Sequence, residues 1–139
     1  MRLEGFEGVV EVEGRRHVVK VIGGGAEFDE GRSGKKLLRI KITAEVDGVR
    51  GEYTITFGRY RRNAAVGFAA ARADAPDGRE TDAERLSALI EALTGVKPKI
   101  RRIKDGTIVI ECYGGHLEGF MRFAELADAI EQWLKEAGQ

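Results

Sequence analysis

Residues 38–57 read LRIKITAEVDGVRGEYTITF, with the pair Asp47-Gly48 at the centre. Apolar and polar residues alternate on both sides of this pair, and Asp-Gly is a strong signal for a type I′ hairpin turn. Closing the turn on Val46 and Val49 gathers the large apolar side chains on one face. The expected cross-strand pairs are Glu45 with Arg50, Ile42 with Tyr53, Ile40 with Ile55 and Leu38 with Phe57. The polar face then carries Arg39, Lys41, Thr43, Glu45, Thr54 and Thr56.

A second hairpin is predicted upstream, over residues 8–21. A two-residue turn at Gly14-Arg15 would pair Val10 with Val19. The valines expected on one face are Val10, Val12, Val19 and Val21. Residues 23–34 contain too many glycines for a regular element and predict a flexible loop.

A third hairpin is predicted over residues 97–112, around Asp105-Gly106. The sequence allows two registers for this hairpin. A three-residue loop sets Lys99 opposite Glu111 and Ile100 near Ile110, whereas a two-residue loop sets Ile103 opposite Ile108. In either case the basic residues of the first arm cannot all be buried.

Two helices flank the third hairpin. Thr81-Asp82-Ala83-Glu84 predicts a capping box, and Gly95 is placed to end that helix in the left-handed conformation. Its expected apolar stripe is Leu86, Leu89, Ile90 and Leu93. The last element runs from near His116 to about Ala137, and Gly119 marks a candidate break. Residues 64–73 suit either helix or strand, and their alternation favours strand.

This order of elements predicts the α+β class, with a mainly antiparallel sheet built from hairpins and two main helices packed on one face. The chain has 139 residues and a mass of 15.3 kDa, a size that suits one domain over residues 1–139. We find no internal repeat, low-complexity tract or linker.

Composition excludes several classes of protein. Lys and Arg total 23, as do Asp and Glu, so no overall charge favours nucleic acid or membrane as a partner. The start of the chain lacks the apolar core of a signal peptide, and one cysteine allows no internal disulfide, so we expect a cytoplasmic location. Asn, Gln and Ser are scarce while Glu, Arg and Lys are abundant, which is typical of hyperthermophile proteins.

Charge is sorted along the chain. Residues 35–73 sum to +6 and residues 95–115 to +3, whereas residues 74–94 sum to −4 and residues 116–139 to −3. We therefore expect a basic sheet face backed by acidic helices. Such a face, with Tyr60 available for stacking, is the kind of surface that contacts a phosphate backbone. The candidate nucleic-acid-binding residues are Arg39, Lys41, Arg59, Tyr60, Arg61, Arg62, Lys99, Arg101, Arg102 and Lys104.

Catalytic side chains are scarce. Cys112 and His116 form the sharpest enzymatic candidate, a thiol at a strand end near a helix start, but the alternation of Ile108, Ile110 and Cys112 favours a core cysteine. The chain lacks the cysteines and histidines of a structural zinc site, so we expect no metal site of that kind. We also expect no catalytic residue and no cofactor. Trp133 lies on the apolar stripe of the last helix and is expected in the core.

Several strings from residue 37 onward resemble a known family. They include LLRIKITAEVDGVR, RNAAVGFA, ADAPDGRETDAERL and HLEGFMRFAELADAI. These are similar to the second group of the paralogous-repeat (PaRep) proteins of hyperthermophilic crenarchaea, over about the last hundred residues. The family has no characterised function, so the resemblance implies an archaeal, heat-adapted protein and assigns no functional residue.

The order of helix, basic hairpin and helix over residues 80–137 is also similar to the second half of a LAGLIDADG homing-endonuclease domain, whose sheet saddles DNA. Residues 67–75 are a poor relative of its motif, with Arg72 where an acid is usual. Asp74 alone can stand for the metal-binding carboxylate. This analogy concerns the fold.

We therefore expect a small non-catalytic module that binds DNA or RNA at phosphates through its basic sheet face. The alternative is a protein-interaction or self-association module, such as a homodimer, that uses Phe120, Met121, Phe123 or a sheet edge. A third hypothesis is a degenerate LAGLIDADG-like nuclease. A membrane partner is not expected.

Overall fold

The computed structural model describes residues 1–30, 36–60 and 64–137. Within these ranges the chain forms one seven-stranded antiparallel sheet and three helices, so the predicted α+β class is confirmed. The strands are β1 (Glu7–Val12), β2 (Arg15–Glu30), β3 (Lys36–Val46), β4 (Val49–Arg59), β5 (Ala65–Ala70), β6 (Lys99–Arg102) and β7 (Ile108–Cys112). The helices are α1 (Gly78–Thr94), α2 (Gly114–Phe120) and α3 (Ala124–Ala137). The order in the sheet is β1-β2-β3-β4-β5-β7-β6.

The central hairpin β3–β4 has the predicted register. Val46 pairs with Val49, and all four predicted cross-strand pairs are present. Asp47 and Gly48 have φ values of 52° and 79°, as a type I′ turn requires. The apolar face of this hairpin is buried under the helices and contributes a large part of the core.

The β1–β2 hairpin has a different register from the predicted one. Its turn is Glu13-Gly14, with φ values of 51° and 81°, and Val10 pairs with His17 instead of Val19. The glycine occupies the second turn position, which places the turn one residue earlier. Because this moves the pairing by two residues, the predicted valines still share one face.

The predicted flexible loop over residues 23–34 is wrong where the structure describes it. β2 continues through residues 23–30 and pairs with β3, after a bulge between Val21 and Gly23. A side chain at Gly24 would lie 2.6 Å from the carbonyl oxygen of Lys41 and 3.0 Å from Leu3. Glycine there lets the buried Leu3 pack against the strand, so the glycine marks a close approach within the sheet.

The structure confirms one further prediction and decides between two open alternatives. β5 takes the strand conformation that the alternation over residues 64–73 favoured, and it pairs with β4 and β7. Of the two registers for the third hairpin, the structure has the three-residue one, with Lys99 opposite Glu111 and Ile100 opposite Ile110.

Helix α1 begins earlier than the capping box predicted. It starts at Gly78 after Asp77, whose backbone is left-handed, so Thr81 lies inside the helix. Its end is as predicted, because Gly95 has a φ of 75° and donates its amide to the carbonyl of Glu91. Every residue from Asp82 to Ile90 is buried.

The last predicted helix is two helices, and the break lies at residues 121–123 and not at Gly119. Gly119 instead allows close helix contact, since a side chain there would lie 2.7 Å from Thr94 of α1. The aromatic residues of this region fill the core: Phe120, Phe123 and Trp133 are fully buried.

The sheet curls around α1. In a flat sheet with about 4.8 Å between strands, the two outer strands would lie about 29 Å apart. Here Nη2 of Arg102 on β6 lies 3.1 Å from a carboxylate oxygen of Glu13 in the β1–β2 turn. The outer strands therefore approach each other on the helix side, and the opposite face of the sheet is convex. No helix in the described ranges is long and apolar enough to cross a membrane.

Candidate nucleic-acid interface

The convex face of the sheet, which we call the open face, carries the side chains that point away from the helices. Strand alternation assigns these side chains, because the partners in each register share a face. The charged members are Arg16, Lys20, Arg39, Lys41, Arg50, Lys99 and Arg101 among the bases and Glu7, Glu11, Glu27, Glu45, Glu52 and Glu111 among the acids.

Charges of opposite sign alternate on the open face. Nζ of Lys41 lies 2.9 Å from Glu27, and Nη1 of Arg101 lies 2.6 Å from Glu111. The Lys41 ammonium lowers the pKa of Glu27, and the Arg101 guanidinium lowers that of Glu111. The expected segregation of a basic sheet from acidic helices is therefore absent from this face, and several of its cations are partly neutralised.

Five of the ten candidate binding residues lie on the open face, distributed from β3 to β6. They are Arg39, Lys41, Tyr60, Lys99 and Arg101. Lys104 lies in the exposed turn after β6. Arg61 and Arg62 lie outside the described residues.

Two candidates point to the helix side, against expectation. The Arg59 guanidinium lies 5.0 Å from the ring centre of Trp133, in cation–π geometry. Arg102 binds Glu80 of α1 through Nε at 2.7 Å, and these carboxylate contacts raise its pKa. Arg59 follows the buried Phe57 by two residues, and Arg102 follows Ile100 in the same way, so strand alternation turns both inward.

Aromatic and apolar side chains cluster beside the basic ones. Tyr60 is 51% exposed, and its ring meets Phe68 edge to face at 5.7 Å between centroids. The ring lies over Gly58, where an added side chain would come within 3.3 Å of Tyr60 and 3.1 Å of Leu37. We call Leu37, Tyr60, Val66 and Phe68 the aromatic patch.

A cleft opens where β4 and β5 separate. The two strands pair only from Thr56 to Arg59 in β4, and beyond Phe68 the partner of β5 is β7. The cleft has a volume of about 520 Å3 and reaches from the open face down to α1. Its lining is Arg39, Lys41, Glu52, Tyr53, Thr54, Thr56, Phe68, Ala69, Ala70, Arg72, Asp82 and Leu86.

Sequence reasoning missed the aromatic patch and most of the cleft. A signal for the patch was present, since Gly58 two residues before Tyr60 leaves room for a ring to lie on the sheet. Arg72 and Asp82 are brought to the cleft by the divergence of β4 from β5, and local sequence carries no signal for that.

The thiol candidate is not a reactive site. Cys112 is fully buried, and burial raises the pKa of its thiol to about 12. His116 is also buried, and its Nδ1 accepts the Tyr113 amide at 2.9 Å. In the described ranges, no group of three or more His, Cys, Asp or Glu side chains is placed to hold a metal ion.

The structure of residues 67–75 weakens the LAGLIDADG analogy. Residues 67–75 form part of β5 and a turn, and not the helix that this motif forms in the endonucleases. Asp74 is 78% exposed and lies 3.4 Å from Arg72.

In comparisons with protein-family models, curated proteins and solved structures, the chain matches none. The resemblance to the paralogous-repeat proteins therefore stays a prediction.

Proposed function

We propose that this chain is a non-catalytic nucleic-acid-binding module and that the open face is its contact surface. One observation carries the proposal: Tyr60, half exposed beside Phe68, lies on the same face as Arg39, Lys41, Lys99 and Arg101. Aromatic platforms flanked by cations are the usual means by which sheets hold nucleotides.

The two kinds of side chain contribute differently. Stacking on an aromatic ring is worth about 1–3 kcal/mol per base. We expect fewer phosphate contacts than there are cations on the open face, because Glu27 and Glu111 compete for Lys41 and Arg101. We expect about two to four phosphate contacts, hence a log-log salt slope of about −2 to −4.

Binding of fluorescent oligonucleotides, followed by anisotropy at two salt concentrations, tests the proposal. Tyr60→Ala should weaken binding about tenfold or more without changing the salt slope, whereas Lys41→Glu should weaken it and flatten the slope. Lys135→Glu is the matched control, since Lys135 is exposed on α3 and pairs with Glu131 there. No binding by the wild type, or equal losses in Lys41→Glu and Lys135→Glu, would overturn the proposal.

A self-association module remains the second candidate, and one observation favours it. Val9 and Val18 face each other across β1 and β2 on the open face, 53% and 36% exposed, with Ile22 nearby in sequence and 40% exposed. β1 is an outer strand, so the β1 of a second copy can continue the sheet. Of the predicted contact residues, Phe120 and Phe123 are buried and Met121 is half-buried against the core, so the sheet edge offers the more exposed surface.

Light scattering across a range of protein concentrations tests this candidate. A dimer that Val9→Lys dissociates and Val96→Lys does not would support it, because Val96 is an exposed valine that follows α1 and is not part of β1. A monomer at every concentration would exclude it.

A further inference from the structure

Building on the proposed function, we infer that the partner is single-stranded and that the cleft between β4 and β5 takes one unpaired base bearing an exocyclic amino group, that is cytosine, adenine or guanine. Three features of the described residues carry this inference: the shape of the open face, the floor of the cleft and its rim.

The shape of the open face disfavours a duplex. Contact between Arg102 and Glu13 brings the outer strands together on the helix side, so the open face is convex. A sheet that saddles duplex DNA has to present a concave surface to the cylinder. A single strand has no such requirement, because its backbone bends freely and its bases can be splayed onto a surface.

The floor of the cleft offers hydrogen bonds to a base. Asp82 is 7% exposed, and its Oδ2 accepts the amide of Arg72 at 2.8 Å. Within the described ranges no other hydrogen bond to the Asp82 carboxylate is present, so this buried group has acceptor capacity left on a wall of the cleft. Carboxylates accept from the exocyclic amino group of cytosine, and the amino groups of adenine and guanine offer the same kind of donor.

The rim of the cleft suits the remainder of a nucleotide. Arg39, Lys41 and Arg72 lie at the cleft and supply positive charge for a phosphate. Phe68 belongs both to the cleft and to the aromatic patch, so a neighbouring base can stack on Tyr60. The volume of about 520 Å3 lies within the roughly 300–1,000 Å3 of small-ligand pockets.

The first experiment compares strands. Anisotropy is measured with a labelled mixed-sequence 12-mer, alone and annealed to its complement, and with oligo-dC, oligo-dA and oligo-dT. We expect the single strand to bind at least tenfold tighter than the duplex, and oligo-dC or oligo-dA at least fivefold tighter than oligo-dT. Equal binding of single strand and duplex would overturn the inference.

The second experiment fills the cleft. Ala70→Trp adds bulk from the β5 wall, and Thr54→Trp does so from the β4 wall in case the first variant folds poorly; both residues are exposed. Ala124→Trp is the matched control, an exposed alanine at the start of α3. We expect either cleft variant to lose at least tenfold in single-strand affinity while Ala124→Trp keeps it.

The third experiment changes the acceptor. Asp82→Ala removes both acceptor oxygens and should remove most of the preference for oligo-dC and oligo-dA over oligo-dT. If folded cleft variants and Asp82→Ala bind like the wild type while Tyr60→Ala does not, the inference fails and the proposed function stands. If the wild type binds no oligonucleotide, both fail.

Discussion

Nε2 of His17 lies 3.1 Å from Oε2 of Glu84, and each of these side chains is only 7% exposed. The other ring nitrogen, Nδ1, lies 2.6 Å from Asp47, and Glu84 also accepts Nε of Arg15 at 2.9 Å. The imidazole therefore joins the first hairpin, the β3–β4 turn and α1. It partners a carboxylate that would otherwise be costly to bury.

We predict that His17→Leu destabilises the fold by about 2–4 kcal/mol, because it leaves Glu84 buried with fewer partners. Urea denaturation measures the free energy of unfolding. Arg16→Leu, an exposed change on the same strand, should cost less than about 0.5 kcal/mol. Adding Glu84→Leu to His17→Leu should recover part of the loss, and a His17→Leu protein as stable as the control would contradict this account of the cluster.

Stability should fall in acid partly through Asp47. Burial raises the pKa of Asp47, but the hydrogen bonds from the Val18 amide and the His17 ring together lower it by more. The net pKa is therefore below the ordinary value of 3.8. The native state thus binds fewer protons than the unfolded state near this pH. The stabilisation is present above pH 3.8 and is lost as pH falls through the lower native pKa.

Urea denaturation between pH 6 and pH 2 checks this. The stability difference between the wild type and Asp47→Asn should be largest near pH 6 and should shrink below pH 4. A difference that stays constant down to pH 2 would show that ionised Asp47 does not contribute in this way.

The Cys112 thiol should resist alkylation in the folded protein. Burial raises its pKa to about 12, so thiolate is scarce at pH 8, and access is blocked as well. Mass spectrometry after iodoacetamide treatment should show labelling at least about 100-fold slower than in guanidinium. In Val96→Cys the added thiol, at an exposed position, should be labelled quickly in the folded state; equal rates for both thiols would refute the burial of Cys112.

The sequence specified the fold best where a turn signal and strand alternation agreed. Asp47-Gly48 set the β3–β4 register to the residue. The predicted β1–β2 register is wrong by two residues, because the first turn position is Glu13, a residue type with no strong preference for positive φ. The glycine run in β2 was misread because its cause is tertiary: Gly24 makes room for Leu3 and for the backbone of Lys41.

Strand alternation predicted part of the candidate site, and no other sequence pattern predicted the rest. Arg39 and Lys41 were placed on the polar face of β3 because their neighbours are apolar. The same rule, applied onward from Phe57, would have turned Arg59 toward the helices. The cleft has no such signal, because it depends on where the β4–β5 pairing ends and on β5 pairing along its other edge with β7, a segment about forty residues away.

Close contact between α2 and the end of α1 yields the last prediction. A methyl group at Gly119 would lie 2.7 Å from Cβ and 2.8 Å from Cα of Thr94. One of the two helices must move, so Gly119→Ala should destabilise the protein by about 1–3 kcal/mol.

Gly115→Ala is its matched control, because Gly115 lies in the same helix with nothing within 4 Å of an added methyl. Alanine there should be neutral or stabilising by up to about 1 kcal/mol, through its higher helix propensity. Urea denaturation of both variants separates crowding from propensity. We expect Gly119→Ala to be less stable than Gly115→Ala because only the methyl group at residue 119 would contact Thr94. Equal stability of the two variants would show that α2 and α1 do not pack as closely as described.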